Sequence, residues 1–206
     1  MGEAEGAPTT RRRTLAGPGT GHYTERRSQF FAYATPAADA TSLAAWLTEL
    51  RRVHRDARHL PHAWVADDGA ARHSDDGEPA GTGGRPCLAA LASANLRSAA
   101  VAVARLYGGV PLGAGNLGRA YGLAARSAVA AAQVIEQRQY CRLQLHLPYP
   151  LVPLAEHWLA AVVAVDLERS FGAEAGITAW IPQEAVADLP LALRSGLRLV
   201  EGTGWR

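Results

Sequence analysis

The 206-residue chain is 48% hydrophobic and 19% charged, with a formal net charge of +2, a composition that belongs to globular proteins and excludes a disordered or fibrous class. The net charge is too small to signal nucleic-acid binding by itself; a local basic cluster would have to do so. All 21 basic residues are arginine, a bias that fits a GC-rich genome. The two cysteines, Cys87 and Cys141, lie far apart without CxxC spacing, which predicts a reducing interior rather than a disulfide framework. Nothing approaches the run of about 18 uncharged apolar residues that a membrane span needs. Arginines 11–13 are not followed by an apolar stretch, so secretion is not expected and the cytoplasm is the predicted location.

In chain order, residues 1–21 are rich in Gly, Pro, Thr and charge, and read as a flexible tail. Residues 28–35 have β-type composition. Asp39 or Thr41 can cap a helix carrying Leu43, Trp46, Leu47, Leu50 and Val53 on one face. Arg51, Arg52, Arg55 and Arg58 crowd its end, where cations suit the helix dipole. His62–Ala66 reads as a strand, residues 86–96 as a helix, 99–104 as a buried strand, and 117–135 as a long alanine-rich helix. Beyond Glu136, alternation over 140–147 predicts a half-buried strand. A helix over 150–161, strands over 164–171 and 174–181, a helix over 183–194 and a strand over 197–201 follow. This βαββαβ order predicts a ferredoxin-like unit, with a domain boundary near 137–139.

Residues 77–122 hold 10 of the 21 glycines, in two motifs. The first runs from Ser74 to Pro86 and contains Asp75, Asp76 and Glu78. Three carboxylates within four residues could serve a divalent cation or acid–base work, or they could satisfy the backbone of a turn. Gly81, Thr82, Gly83, Gly84 and Arg85 then lead into a helix whose exposed amides, with Arg85, suit an anion. The GK[ST] ending of a phosphate-binding loop is missing, and no cofactor and no metal set are predicted. The second motif runs from Arg105 to Gly122. Gly113-Ala114-Gly115-Asn116-Leu117-Gly118 matches GxGxxG, but the acid expected about twenty residues on is replaced by Glu136 in or after a long helix. Arg105, Arg119 and Arg126 stand in a stretch without an acid between 105 and 135, a candidate phosphate-reading patch or an ordinary solvated face. Tyr107 and Tyr121 could supply stacking surface or cover core edges. His54, His59, His62 and His73 lie near the acids in sequence, yet no nucleophile sits in a GxSxG setting. Cys87 reads as core.

The run from Ser74 to Pro86, the run from Arg105 to Tyr121 and the upstream Ala57-Arg58-His59 closely resemble the YigZ/IMPACT family. The resemblance spans about residues 30–136, and the C-terminal βαββαβ unit is similar in order and length to the second domain of bacterial members. The chain departs from the family pattern at Gln29, Pro61, Gly83, Leu106 and Asn116; Asn116 can keep a glycine-like backbone, since Asn tolerates positive φ.

The resemblance implies an α+β protein of two domains. The first, residues 22–137, would be a βαβ-type two-layer sandwich similar to domain IV of elongation factor G and to ribosomal-protein folds. The second, residues 138–206, would be ferredoxin-like. It also implies a translation- or RNA-linked regulator; the leading expectation is a non-catalytic protein that binds RNA, the ribosome or a translation-related protein, with monomer and dimer both open. The candidate binding residues are Thr82, Gly83, Gly84, Arg85, Arg105, Tyr107, Asn116, Arg119 and Tyr121. The alternative is a hydrolase acting on a small substrate or peptide through His59, Asp75, Asp76 and Glu78.

Overall fold

The computed structural model describes residues 10–206, apart from the side chains of 199–201. The chain divides into two compact units, residues 13–136 and residues 137–206 with the segment up to Arg12. In chain order the elements are β1 (Arg11–Leu15), β2 (Gly19–Glu25), β3 (Ser28–Pro36), α1 (Ala40–Val53), β4 (His62–Val65), β5 (Ala71–Ser74), α2 (Gly84–Ser93), β6 (Ala99–Leu106), α3 (Ala114–Ala131), β7 (Val134–Leu147), α4 (Val152–Ala161), β8 (Val165–Phe171), β9 (Ala175–Pro182) and β10 (Leu197–Trp205).

Of the expected tail, residues 1–9 lie outside the described residues, and the rest is a correction. Residues 10–21 carry β1 and the start of β2. Their composition hides a hairpin, because the turn to β3 uses Arg26 and Arg27, both at positive φ (43° and 69°), where Asn and Gly are the usual signal. β2 then pairs antiparallel with β3 along its whole length, from Gly19↔Ala34 to Glu25↔Ser28.

The larger unit is built on an antiparallel sheet ordered β2-β3-β6-β4-β5. β3 and β4 both run antiparallel to β6, so β3 and β4 are parallel to each other and, with α1, form a split βαβ unit with β6 inserted. β6 is buried from Ala99 to Ala104, and strand alternation sends its side chains to two different cores. Ala99, Val101 and Val103 meet Leu91, Leu117, Tyr121 and Ala125 beneath α2 and α3. Ala102 and Ala104 meet Leu50, Trp46 and Leu47 of α1, and Ala100 meets Trp64. Helices therefore cover both faces, whereas a two-layer sandwich would leave one bare. Alanine on β6 lets the helices approach a strand buried on both sides. α1 begins as its sequence predicts: the Asp39 carboxylate accepts from the Ser42 amide at 2.7 Å, and Ser42 Oγ accepts from the Asp39 amide, closing a capping box. α3 stops at Ala131, short of the predicted 135, and Val134 opens β7; the alanine run carries no Gly or Pro to mark that end.

In the other unit β7 lies between β9 and β10, with β8 outside β9, and β1 also pairs with β7. The core gathers Leu143, Leu145 and Leu147 of β7, Ile177, Ala179 and Ile181 of β9, and Trp158 and Leu159 of α4. The helix predicted over 183–194 is instead two short 3-10 segments, Gln183–Asp188 and Leu191–Gly196. Pro190 divides them, since it has no amide to donate and disfavours helix in the residue before it. Among the described residues no helix is long and apolar enough to cross a membrane.

Candidate functional site

The first glycine motif folds around its own carboxylates. Asp75 follows β5 and turns its side chain onto the start of α2, where one oxygen accepts from the amides of Gly83 (2.9 Å) and Gly84 (2.8 Å) and the other from Gly81 (2.8 Å). Burial raises the Asp75 carboxyl, but these amides, aided by His73, outweigh it and hold it below the usual carboxylate range. Gly84 makes the approach feasible, because a Cβ there would stand 2.7 Å from the Ser74 carbonyl carbon and oxygen.

The anion site expected at Gly83 and Gly84 is thus already filled by the protein's own anion. Thr82 is buried and its hydroxyl donates to Pro79 O at 2.6 Å, so it faces inward as well. Asp76 accepts from the Leu60 amide at 2.6 Å and pairs with Arg51 of α1, in a left-handed conformation (φ 51°) before Gly77 (φ 86°). His59 Nδ1 lies 2.7 Å from Asp76 O, which makes Nδ1 the protonated nitrogen. Among the described residues no group of three or more His, Cys, Asp or Glu side chains is placed to hold a metal ion.

Glu78 reaches the opposite way. Its side chain is 4% exposed, and Oε1 accepts from Arg105 Nη1 at 2.9 Å and from Tyr121 Oη at 2.7 Å. Arg105 stands near the end of β6 with its guanidinium carbon 5.7 Å from the Phe30 ring centre and 5.4 Å from that of Tyr107. Tyr121, fully buried on α3, meets Phe30 edge-on at 5.0 Å. Burial, then the bond to Glu78, pushes its hydroxyl far above the ordinary range, so it stays a donor. Strand β6, helix α3 and the first glycine loop are thereby tied at one point.

Above that point opens a cavity of about 630 Å³, lined by Asp56, Arg58, His59, Glu78, Pro79, Arg105, Tyr107, Pro111, Leu112, Gly113, Ala114 and Leu117, a volume in the range of ligand sites. Among the expected site residues, His59, Glu78, Arg105 and Tyr107 meet there, with Tyr121 behind the wall. Arg85, Asn116 and Arg119 are exposed and lie outside the lining; Asn116 donates from its side chain to Leu112 O. The sequence reading missed Asp56, Arg58 and the apolar walls Pro79, Pro111, Leu112 and Leu117. Single apolar residues inside a glycine loop have no period to reveal them, whereas Arg58 was visible beside His59.

The Impact N-terminal domain model matches residues 26–129. A Thermus thermophilus protein described as an IMPACT family member in the pol 5′ region is 38% identical over 128 residues, 62% of this chain and 69% of that protein. The chain belongs to the IMPACT family. IMPACT family member YigZ of Escherichia coli is 40% identical over 101 residues, 47% of this chain, and the match spans about half of that relative's length (50%). A solved structure described as a hypothetical protein is 28% identical, covers 94% of this chain and 98% of its own, and superposes with a TM-score of 0.66. The match of family and fold thus includes all the residues that line the cavity.

Proposed function

We propose that this IMPACT family member is a non-catalytic, translation-linked regulator whose cavity between the 78–79 loop, the end of β6 and residues 111–117 docks a peptide segment of a protein partner. The observation that carries this reading is the internal use of the motif's acids. Asp75 serves the amides of the glycine turn, Asp76 serves Leu60 and Arg51, and Glu78 serves Arg105 and Tyr121. A hydrolase built on His59 and these acids would need one of them free to move a proton or hold a metal. No thiol replaces them: Cys87 is fully buried, and burial with nearby Asp75 pushes its thiol far up.

The choice of protein over RNA rests on the lining. Arg58 and Arg105 are balanced by Asp56 and Glu78, and Pro79, Pro111, Leu112, Leu117 and Tyr107 supply largely apolar walls. An RNA backbone asks for an excess of positive charge. The link to translation comes from the family resemblance, as does likeness of the larger unit to domain IV of elongation factor G. The order β10-β7-β9-β8 supports a ferredoxin-like reading of the other unit.

Cross-linking and capture from native lysate, with and without nuclease, tests the proposal. A translation-related protein that survives nuclease, and is lost with Leu112→Arg, fits it. Capture that disappears with nuclease assigns the site to RNA instead.

A further inference from the structure

Arg105 uses one corner of its guanidinium on Glu78. Nη1 makes that bond, while among the described residues Nε is buried without a hydrogen-bond partner and Nη2 makes no hydrogen bond. The Nε/Nη2 edge is the side that takes a carboxylate with two parallel bonds. A buried guanidinium donor with no acceptor points to something that completes it. The side chain is 11% exposed, and the guanidinium borders the cavity beneath Tyr107, a residue that is 59% exposed; a ligand reaching the Nε/Nη2 edge requires that ring to swing aside.

Three further features converge on one kind of ligand. The two arginines and two acids of the lining cancel, and the start of α3 adds a partial positive charge. Gly113 leaves that 18-residue helix without a side-chain cap, and Gly113 and Ala114 line the cavity. The balance therefore favours one negative charge rather than the two of a phosphate monoester. Leu112, Leu117, Pro79 and Pro111 offer an apolar seat beside it. Glu78 Oε2 makes no hydrogen bond among the described residues, which leaves an acceptor for a peptide N–H.

We propose that the cavity captures the C-terminal carboxylate of a peptide ending in an apolar residue, held on the Nε/Nη2 edge of Arg105 with Arg58 at the rim and the start of α3 alongside. This rests on the peptide-docking reading above and gives it a chemical end-point. Recognition of a free terminus by convergent donors is a known mode of peptide binding.

The test uses the full chain and an acetylated tetrapeptide ending in leucine, as its free acid and as its C-terminal amide, with N-acetyl-leucine as the minimal unit. Binding is read by calorimetry and by amide shifts. The acid should bind about tenfold or more tightly than the amide, the worth of a charge-assisted bond. N-acetyl-leucine should bind more weakly at the same residues. Arg105→Lys keeps a charge opposite Glu78 but has no two-pronged edge, and should erase the preference for acid. Arg58→Gln, an exposed change that leaves the buried pair intact, should lower affinity for the acid about two- to fivefold. Equal binding of acid and amide overturns the terminal-carboxylate proposal and leaves peptide docking standing. No binding of either peptide overturns both.

Discussion

Arg105 Nη1 and Glu78 Oε1 lie 2.9 Å apart, with both side chains nearly excluded from water. They come from segments 27 residues apart in sequence, and Tyr121 donates to the same oxygen. A buried pair of this kind is held by geometry: its mutual attraction offsets a large loss of hydration, and removing one partner leaves the other charge stranded.

Glu78→Ala should therefore destabilise the larger unit by about 3–5 kcal/mol, read as a lower urea midpoint. The double variant Glu78→Leu with Arg105→Leu should recover part of that loss, because two apolar side chains leave no charge without a partner, while the buried Tyr121 hydroxyl still loses its acceptor.

Asp75 makes stability depend on pH. Its folded carboxyl titrates below the usual range, so its contribution is complete above the unfolded carboxylate pKa of roughly 4 and is lost as pH falls through the lower folded value. Asp75→Asn should cost about 1–3 kcal/mol at neutral pH, because its single oxygen makes weaker bonds and its NH2 cannot accept from the amides on the other side. It should also flatten the fall in stability below about pH 4. Urea titrations of both proteins at a series of pH values give the two slopes.

Gly84→Ala should lower the melting temperature without touching the cavity. The added methyl meets the Ser74 backbone at 2.7 Å, which a main chain cannot yield without shifting. Overpacking of this kind costs about 1–3 kcal/mol. Gly115→Ala, with no atom within 4 Å of the added carbon, is the matched control and should be close to neutral.

Cys87 should resist a thiol reagent in the native protein. It is fully buried and its thiol is pushed far up. In a Cys141→Ser background, labelling should appear only on unfolding. Fast labelling under native conditions would reopen the hydrolase reading.

Much of the fold was legible because it obeys local rules. The apolar stripe of α1, its Asp39 cap and the unbroken apolar run of β6 each announce themselves within a dozen residues. Three features did not. The β2–β3 turn uses two arginines at positive φ, the end of α3 lies in an alanine run, and the 183–194 segment breaks at Pro190 into 3-10 turns. At the site, the sequence weighed metal or acid–base chemistry for Asp75, Asp76 and Glu78 against turn-building. Which roles they fill depends on β6 and α3 bringing Arg105 and Tyr121 to the loop, a long-range pairing that no spacing records. The same juxtaposition excludes Arg85 and Arg119 from the cavity and brings in Leu112 and Leu117.

The most direct measurement is an amide-shift titration of the isotope-labelled full chain, once with the leucine-ending acetylated tetrapeptide and once with a single-stranded RNA oligonucleotide. Saturable shifts are expected at Arg105, Tyr107 and residues 112–117 with the peptide, and no saturable shifts there with RNA at physiological salt. Saturable shifts of those residues by RNA, with affinity falling steeply as salt rises, and no response to the peptide would contradict peptide docking.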